Sequence, residues 1–380
     1  MKSKLFAKTR GVLAGVSVMV PLLTVAFAVV LAGCASAPKE GPAADINAAA
    51  ELSAAEKLAA DINALEAGKA TASGDAVTLT GGVRLENALT VPPGVTLEVP
   101  PGVTLDLTQD GAALALGNGA TLTVNGTVNA KAEGINIDSA AASPATIKGS
   151  GTISLKSNGR LLNIGGNKKL ILDGGTLVGL PDNSDTLVRI EGGEFALKSG
   201  KITGNTIVTE GGTPGGGVSI DGDSGVFTMT GGEISGNNAR EAGGVAISGG
   251  TFIMKDGTIL GNIGGYMGGV SVGQGATFIM EGGEIFGNTA EDFGGVGIVN
   301  GTFTLKGGRI QGSTDSDGFA KNTGKYSAAL RVMNNSTAKW DTGGAYTKGG
   351  VSQTGGSDIV QLESNGSGGT DDTLIAVPGK

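Results

Sequence analysis

The chain has 380 residues and a formal net charge of −8, with 71 Gly, 27 basic and 35 acidic side chains. It holds no His and one Cys, which removes His-based acid–base catalysis, Ser-His-Asp triads, a disulfide framework and Cys-rich zinc sites. The acidic balance makes nucleic acid a poor partner, and 39% hydrophobic content with 4% aromatics excludes both a disordered chain and a core built on large rings.

Lys2, Lys4, Lys8 and Arg10 precede an uncharged apolar stretch from Gly11 to Leu31, the layout of a secretory signal over residues 1–33. About 20 apolar residues would suffice to span a bilayer. Pro21 in mid-stretch and the small residues before Cys34 argue against an uncleaved helix of that kind. Leu31-Ala32-Gly33-Cys34 resembles the lipobox of bacterial lipoproteins, and the chain's single Cys falls where that motif is lipidated. The resemblance implies cleavage after Gly33, a lipid on Cys34 and attachment to a membrane of the cell envelope. Ala35 stands where Asp is the usual inner-membrane retention signal, which is compatible with outer-membrane delivery. Removing residues 1–33 takes away four cations and no acid, so the net charge of −8 becomes −12.

Residues 34–42 read as the lipidated Cys and a short Pro-containing tether. Residues 43–68 read as a helical segment, with a softer turn from Asp45 to Leu52 and then a capping box, Ser53-Ala-Ala-Glu56. Leu58, Ile62 and Leu65 predict one apolar stripe, and Gly68 predicts the stop. An amphipathic helix placed before the first strands is expected to plug the open end of the strand stack.

From residue 71 to 318 the period changes from 3.6 to 2. Val95, Leu97 and Val99 alternate with polar or small residues, as do Val103, Leu105 and Leu107, then Leu114 and Leu116, then Leu122 and Val124. Pro92-Pro93-Gly94, Pro100-Pro101-Gly102 and Asn125-Gly126 cut these half-buried strands apart. Later the chain repeats itself. Phe195-Ala-Leu-Lys-Ser-Gly-Lys-Ile202-Thr-Gly-Asn205 returns from Phe227 to Asn237, Phe252 to Asn262, Phe278 to Asn288, and Phe303 to Ser313, where Ser replaces the Asn. The Phe residues are 32, 25, 26 and 25 positions apart, the spacing of stacked repeats. The Gly211–Gly215 insertion accounts for the longest gap, as a loop bulging from one face. Leu170 and Ala145 extend the series backwards in steps of 25.

Each late repeat holds three strand-like pieces: Val218-Ser-Ile220 and its counterparts, the Phe piece, and the single Ile. Three short parallel strands per coil of about 25 residues predict an all-β, right-handed parallel β-helix. Some 300 residues make about 12 coils and a rod of about 55–60 Å. Lys255, Glu281 and Lys306 fall in one outward slot, so that like charges do not stack. Gly236-Asn237, Gly261-Asn262 and Gly287-Asn288 read as corners whose Asn side chains hydrogen-bond along the rod. Residues 319–380 are expected to form the last coils and a C-terminal cap, with Trp340, Tyr326 and Tyr346 plugging that end.

On these repeats, clearest from 195 to 313, the chain resembles the pectate-lyase-like right-handed parallel β-helix superfamily. It is more similar still to bacterial surface lipoproteins with Gly-Gly-Val … Thr-Phe-x-Met-x-Gly-Gly-x-Ile-x-Gly-Asn repeats, and it resembles the Gly-Gly-x-Ile motifs of chlamydial polymorphic outer-membrane proteins. The superfamily includes polysaccharide lyases and hydrolases. Their Gly-His-Gly element is absent here, Asp371-Asp372 falls outside the repeats, and the other acids are scattered about one per coil. The calcium candidates are two acidic turns, with Asp221 and Asp223 in one and Asp315 and Asp317 in the other, although neither has the distal Glu of a full loop. The expectation is therefore a non-enzymatic, lipid-anchored envelope protein, adhesin-like or a structural binding module, with no catalytic residue and no cofactor. Its partners would be the membrane through Cys34 and a glycan or an envelope or host surface protein. The alternative is a carbohydrate-active β-helix enzyme.

Overall fold

The structure, a computed structural model, describes residues 51–208, 215–312, 320–325 and 329–333. Beyond these it describes the backbone of six strands, Thr337–Trp340, Ala345–Lys348, Val351–Thr354, Ile359–Val360, Gly369–Thr370 and Leu374–Ala376. The signal segment, Cys34, the tether and most of the turn from Asp45 to Leu52 lie outside the described residues.

Helix α1 (Ala54–Leu65) forms at the capping box. Ser53 Oγ accepts the Glu56 amide at 3.2 Å, and Glu56 Oε2 accepts the Ser53 amide at 2.7 Å. Its buried stripe is Ala55, Leu58, Ala59 and Ile62. Leu65 is not part of it, because the chain leaves the helix in an extended conformation at Glu66 and Leu65 stays 44% exposed. Asn63 joins the helix to the sheet: its Nδ2 donates to the Ala70 carbonyl at 2.8 Å and its Oδ1 accepts the Ala70 amide at 2.9 Å. One side chain thus satisfies both backbone groups of an edge residue. Ala70–Ser73 then pairs antiparallel with Ala76–Leu79. An antiparallel strand and a helix together finish this end of the sheet.

From Ala76 the chain winds as a parallel β-solenoid, with 54% of its residues in strands. Each coil lays a strand on a long face, turns a Gly-containing corner onto a second face and crosses to a third. On the long face, Val77, Leu97, Leu122, Ile147, Leu172, Leu197, Met229, Met254, Met280 and Leu305 sit in register, one per coil. Beside them run the five Phe rings, with centroids 4.7 to 5.3 Å apart and planes within 28°. The Phe and Ile pieces of the middle coils are one bent strand, as in Val226–Ser235 and Thr251–Leu260, so three expected pieces make two strands folded over three faces. The bend demands glycine. Gly283 has φ +82°, and a Cβ there would lie 2.7 Å from the Gly257 carbonyl of the coil below.

The solenoid makes about 9 turns, not 12. The coils keep close to the expected length from Val77 to Leu305, and the shortfall lies in the tail, which does not wind on. Leu374–Ala376, Gly369–Thr370 and Ile359–Val360 run antiparallel to the terminal strands Gly308–Ile310, Leu330–Met333 and Thr337–Trp340. At about 4.8 Å per coil, nine turns span about 43 Å rather than 55–60 Å. The described closure of the C-terminal end is therefore made of strands, and the side chains of Trp340, Tyr326 and Tyr346 lie outside the described residues.

The corner asparagines form an internal ladder. Asn183, Asn205, Asn237, Asn262, Asn288 and Asn322 are all buried. Amides of Asn183, Asn237, Asn262 and Asn288 donate to the Oδ1 of the next Asn at 2.8 to 3.1 Å, and Asn205 joins through its backbone N–H, 3.2 Å from Asn237 Oδ1. The last rung corrects the alignment at Ser313, since Asn322 takes that place after an insertion. Outside, Glu281 lies between Lys255 (3.8 Å) and Lys306 (3.4 Å), as their shared slot required.

Candidate functional site

The crossing from the second face to the third carries an extra ladder that the repeat pattern did not announce. After each corner Asn the chain forms two short extended stretches before the Gly-Gly that starts the third face. Asn238–Ala239, Ile263–Gly264 and Thr289–Ala290 pair in parallel, and Ala242, Met267 and Phe293 bridge from coil to coil beside them. Together they make a flange on the side of the rod.

The flange folds back against the outside of the third face. Outward residues there are Ser219, Ala246, Ser271 and Gly297, aligned in register and all buried. Small side chains are required because Met267 and Phe293 press on them: a Cβ on Gly297 would lie 2.7 Å from Met267 Cγ. Ala242, Ala246, Met267 and Phe293, with Val299 and Met333 against them, form a second apolar layer separate from the main core. In the two coils before Ser219 the outward third-face residues are the larger, polar Asn163 and Arg189. Arg189 Nε lies 2.7 Å from Asp221 and 3.0 Å from Glu191, an ion pair whose angles are not those of a directed hydrogen bond. Arg160 approaches Asp185 (3.1 Å), Glu133 (3.4 Å) and Glu191 (3.7 Å), which links these charges into one string.

Two open grooves flank the flange. One, of about 460 Å³, runs over Ile207, Val208 and Ile263 between Arg240 and Glu291. Val208 and Ile263 are 57% and 50% exposed there. The other, of about 450 Å³, has a floor of Met267, Phe293, Val299 and Met333. Its rim carries Glu241, Tyr266 and Asp292, which stack as one column because the Met267 amide bonds the Glu241 carbonyl (2.7 Å) and the Phe293 amide bonds the Tyr266 carbonyl (2.9 Å). Asn300, in the left-handed conformation at φ +59°, and Gln274 line the same groove.

Of the calcium candidates, Asp221 and Asp223 lie among the described residues. Asp221 is held by Arg189 and accepts from Ser219 Oγ at 3.2 Å, while Asp223 sits exposed in the turn. Among the described residues no three acids, His or Cys gather into a metal-binding set. Asp315, Asp317, Cys34, Asp371, Asp372 and most of the Gly211–Gly215 insertion lie outside the described residues. Among the described residues of the rod, Glu233 has a shifted titration. Burial alone would raise Glu233, but hydrogen bonds from Lys201 and Ser235 outweigh it, and its carboxyl lies below the usual 4.5.

The flange had a faint sequence signature. The interval from Asn to Gly-Gly is the same after Asn237, Asn262 and Asn288, and the outward third-face residue there is small, Ala246, Ser271 or Gly297, where Arg189 stood before. Compared with known protein families, with curated proteins and with solved structures, the chain matches none.

Proposed function

We propose that this is a non-enzymatic, lipid-anchored β-solenoid of the bacterial cell envelope, and that it works as an adhesin-like or structural binding module through its flange. The observation that carries this reading is the flange, which gives one side of the rod two open grooves, one edged by exposed Val208 and Ile263 and the other floored by the second apolar layer beside exposed Tyr266. A contiguous exposed apolar patch rimmed by charge is the usual mark of a contact site. Several acids elsewhere on the coils are held in ion pairs, as Glu233 is with Lys201 (2.8 Å) and Asp221 with Arg189, which fits binding better than catalysis. The secretory layout of residues 1–33 and the lipobox-like end support anchorage by Cys34, with the outer membrane as destination and a glycan, or an envelope or host surface protein, as partner.

The test expresses the full chain and a Cys34→Ser variant. The parent is expected in the membrane fraction, and the variant is expected to leave it. Protease digestion on intact cells, with a lysed control, then decides between the outer surface and the periplasm. Retention of envelope or host material by the parent, lost with Ile263→Asp, supports the module. Retention of nothing sinks it, and turnover of an acidic polysaccharide with added Ca²⁺ would replace it with the enzyme reading.

A further inference from the structure

The groove edged by Glu241, Tyr266 and Asp292 has a chemistry of its own. Register places these three residues one coil apart, so two carboxylates flank a phenol ring at about 4.8 Å per step. Tyr266 is 46% exposed, whereas the Met267 and Phe293 beneath it are 4% and 7% exposed. Ser271 Oγ donates to Glu241 Oε1 at 3.1 Å and holds that acid against the wall.

The charge at this groove differs from that around Glu233 and Glu281. Lys201 neutralises Glu233, and Lys255 and Lys306 flank Glu281. Neither Glu241 nor Asp292 has a cation partner among the described residues. Two like charges in one column repel, and each carboxylate is purely an acceptor. The ligand that complements them is purely a donor and positively charged. The floor already accommodates positive charge on an aromatic ring, since the Arg331 guanidinium carbon lies 5.8 Å from the Phe293 centroid.

We propose that this groove binds an alkylammonium group, and that its occupant is a lysine side chain of a protein partner. The ammonium would lie over the Tyr266 ring between the two carboxylates, with its methylene stem along Met267, Val299 and Met333. A volume of about 450 Å³ suits one long side chain with neighbouring backbone. A neutral saccharide could bond the carboxylates through its hydroxyls but carries no charge to offset theirs. This inference rests on the binding-module reading and gives that module's partner a chemistry.

The test monitors the Met267 and Met333 methyl signals of the full chain, labelled with [methyl-¹³C]methionine in detergent. It titrates tetramethylammonium, Nα-acetyl-lysine amide, uncharged 2,2-dimethylpropanol and neutral oligosaccharides. Both ammonium compounds are expected to give saturable shifts that weaken as salt is raised. Glu241→Gln, Asp292→Asn and Tyr266→Leu should each weaken them about tenfold, with unfolding temperatures showing that the variants fold. Absence of a shift, an equal response to 2,2-dimethylpropanol, or saturation by an oligosaccharide alone overturns the assignment. Retention of envelope or host material is measured on the same variants. If retention persists while the ammonium response is absent, only the groove assignment fails. An ammonium response in a protein that retains nothing defeats only the module.

Discussion

Asn262 makes four hydrogen bonds with one side chain. Its Oδ1 accepts from the Asn237 amide and side chain, both at 3.1 Å, and its Nδ2 donates to the Ile234 carbonyl (2.9 Å) and to Asn288 Oδ1 (3.0 Å). Asn262→Ala orphans those partners where no water reaches, at a cost of about 2–4 kcal/mol. Denaturant midpoints should show the loss, and a variant as stable as the parent would mean the ladder is incidental. Glu233 offers a pH test. Because its folded pKa is depressed, its stabilising share is complete above the ordinary value of 4.5 and is lost as pH falls through the lower folded value. The stability gap between parent and Glu233→Gln should therefore stay constant near neutrality and close below about pH 4.5. A gap that widens on acidification would contradict the sign.

At the level of elements, the Phe column is a continuous stack shared by five coils. Phe252 lies between Phe227 at 4.7 Å and Phe278 at 4.8 Å, fully buried. Phe252→Ala removes contacts on both sides and should cost about 3–5 kcal/mol, and Phe252→Leu clearly less. Thermal unfolding of the two variants checks the order. Strands and columns of this kind were legible in the sequence because every second residue points inward, so Val95, Leu97 and Val99 declare a face without further context. The flange was not legible. Its paired segments are two residues long, too short to alternate, and its packing residues Ala242, Met267 and Phe293 differ in size from coil to coil. Ser313 was aligned with the corner asparagines because the insertion before Asn322 keeps no period. Leu65 matched the helix stripe by spacing, but the last turn of α1 had already run past the sheet that the stripe covers.

For the whole molecule, stability rests on neighbours and on the closing of both ends. Parallel coils leave unpaired backbone at each end, an invitation to edge-to-edge association. At one end Leu58 and Ile62, on the inner side of α1, are 2% and 1% exposed. Ile62→Asp places a charge in that contact and should lift the helix from the first strands. Light scattering should then show concentration-dependent oligomers, and a monodisperse variant would show that the antiparallel strand Ala70–Ser73 closes the end alone. Legibility at this scale was mixed. The winding was evident from the repeats, but the turn count was overestimated because the returning antiparallel tail has strand composition and no repeat.

The Asn ladder also bears on how such a chain can change length over generations. Most rungs donate an amide to the rung above and accept one from the rung below, so excising or duplicating one whole coil leaves donors and acceptors matched at the seam. A fractional insertion must instead be kept out of the ladder, and Asn322 Nδ2 still reaches the Gln311 carbonyl at 2.7 Å across the extra residues. Reach would then be inherited in whole-number increments of about 4.8 Å, and each added coil in this region would bring one more flange rung with it. Lengthening the rod and lengthening its recognition edge would be a single genetic event.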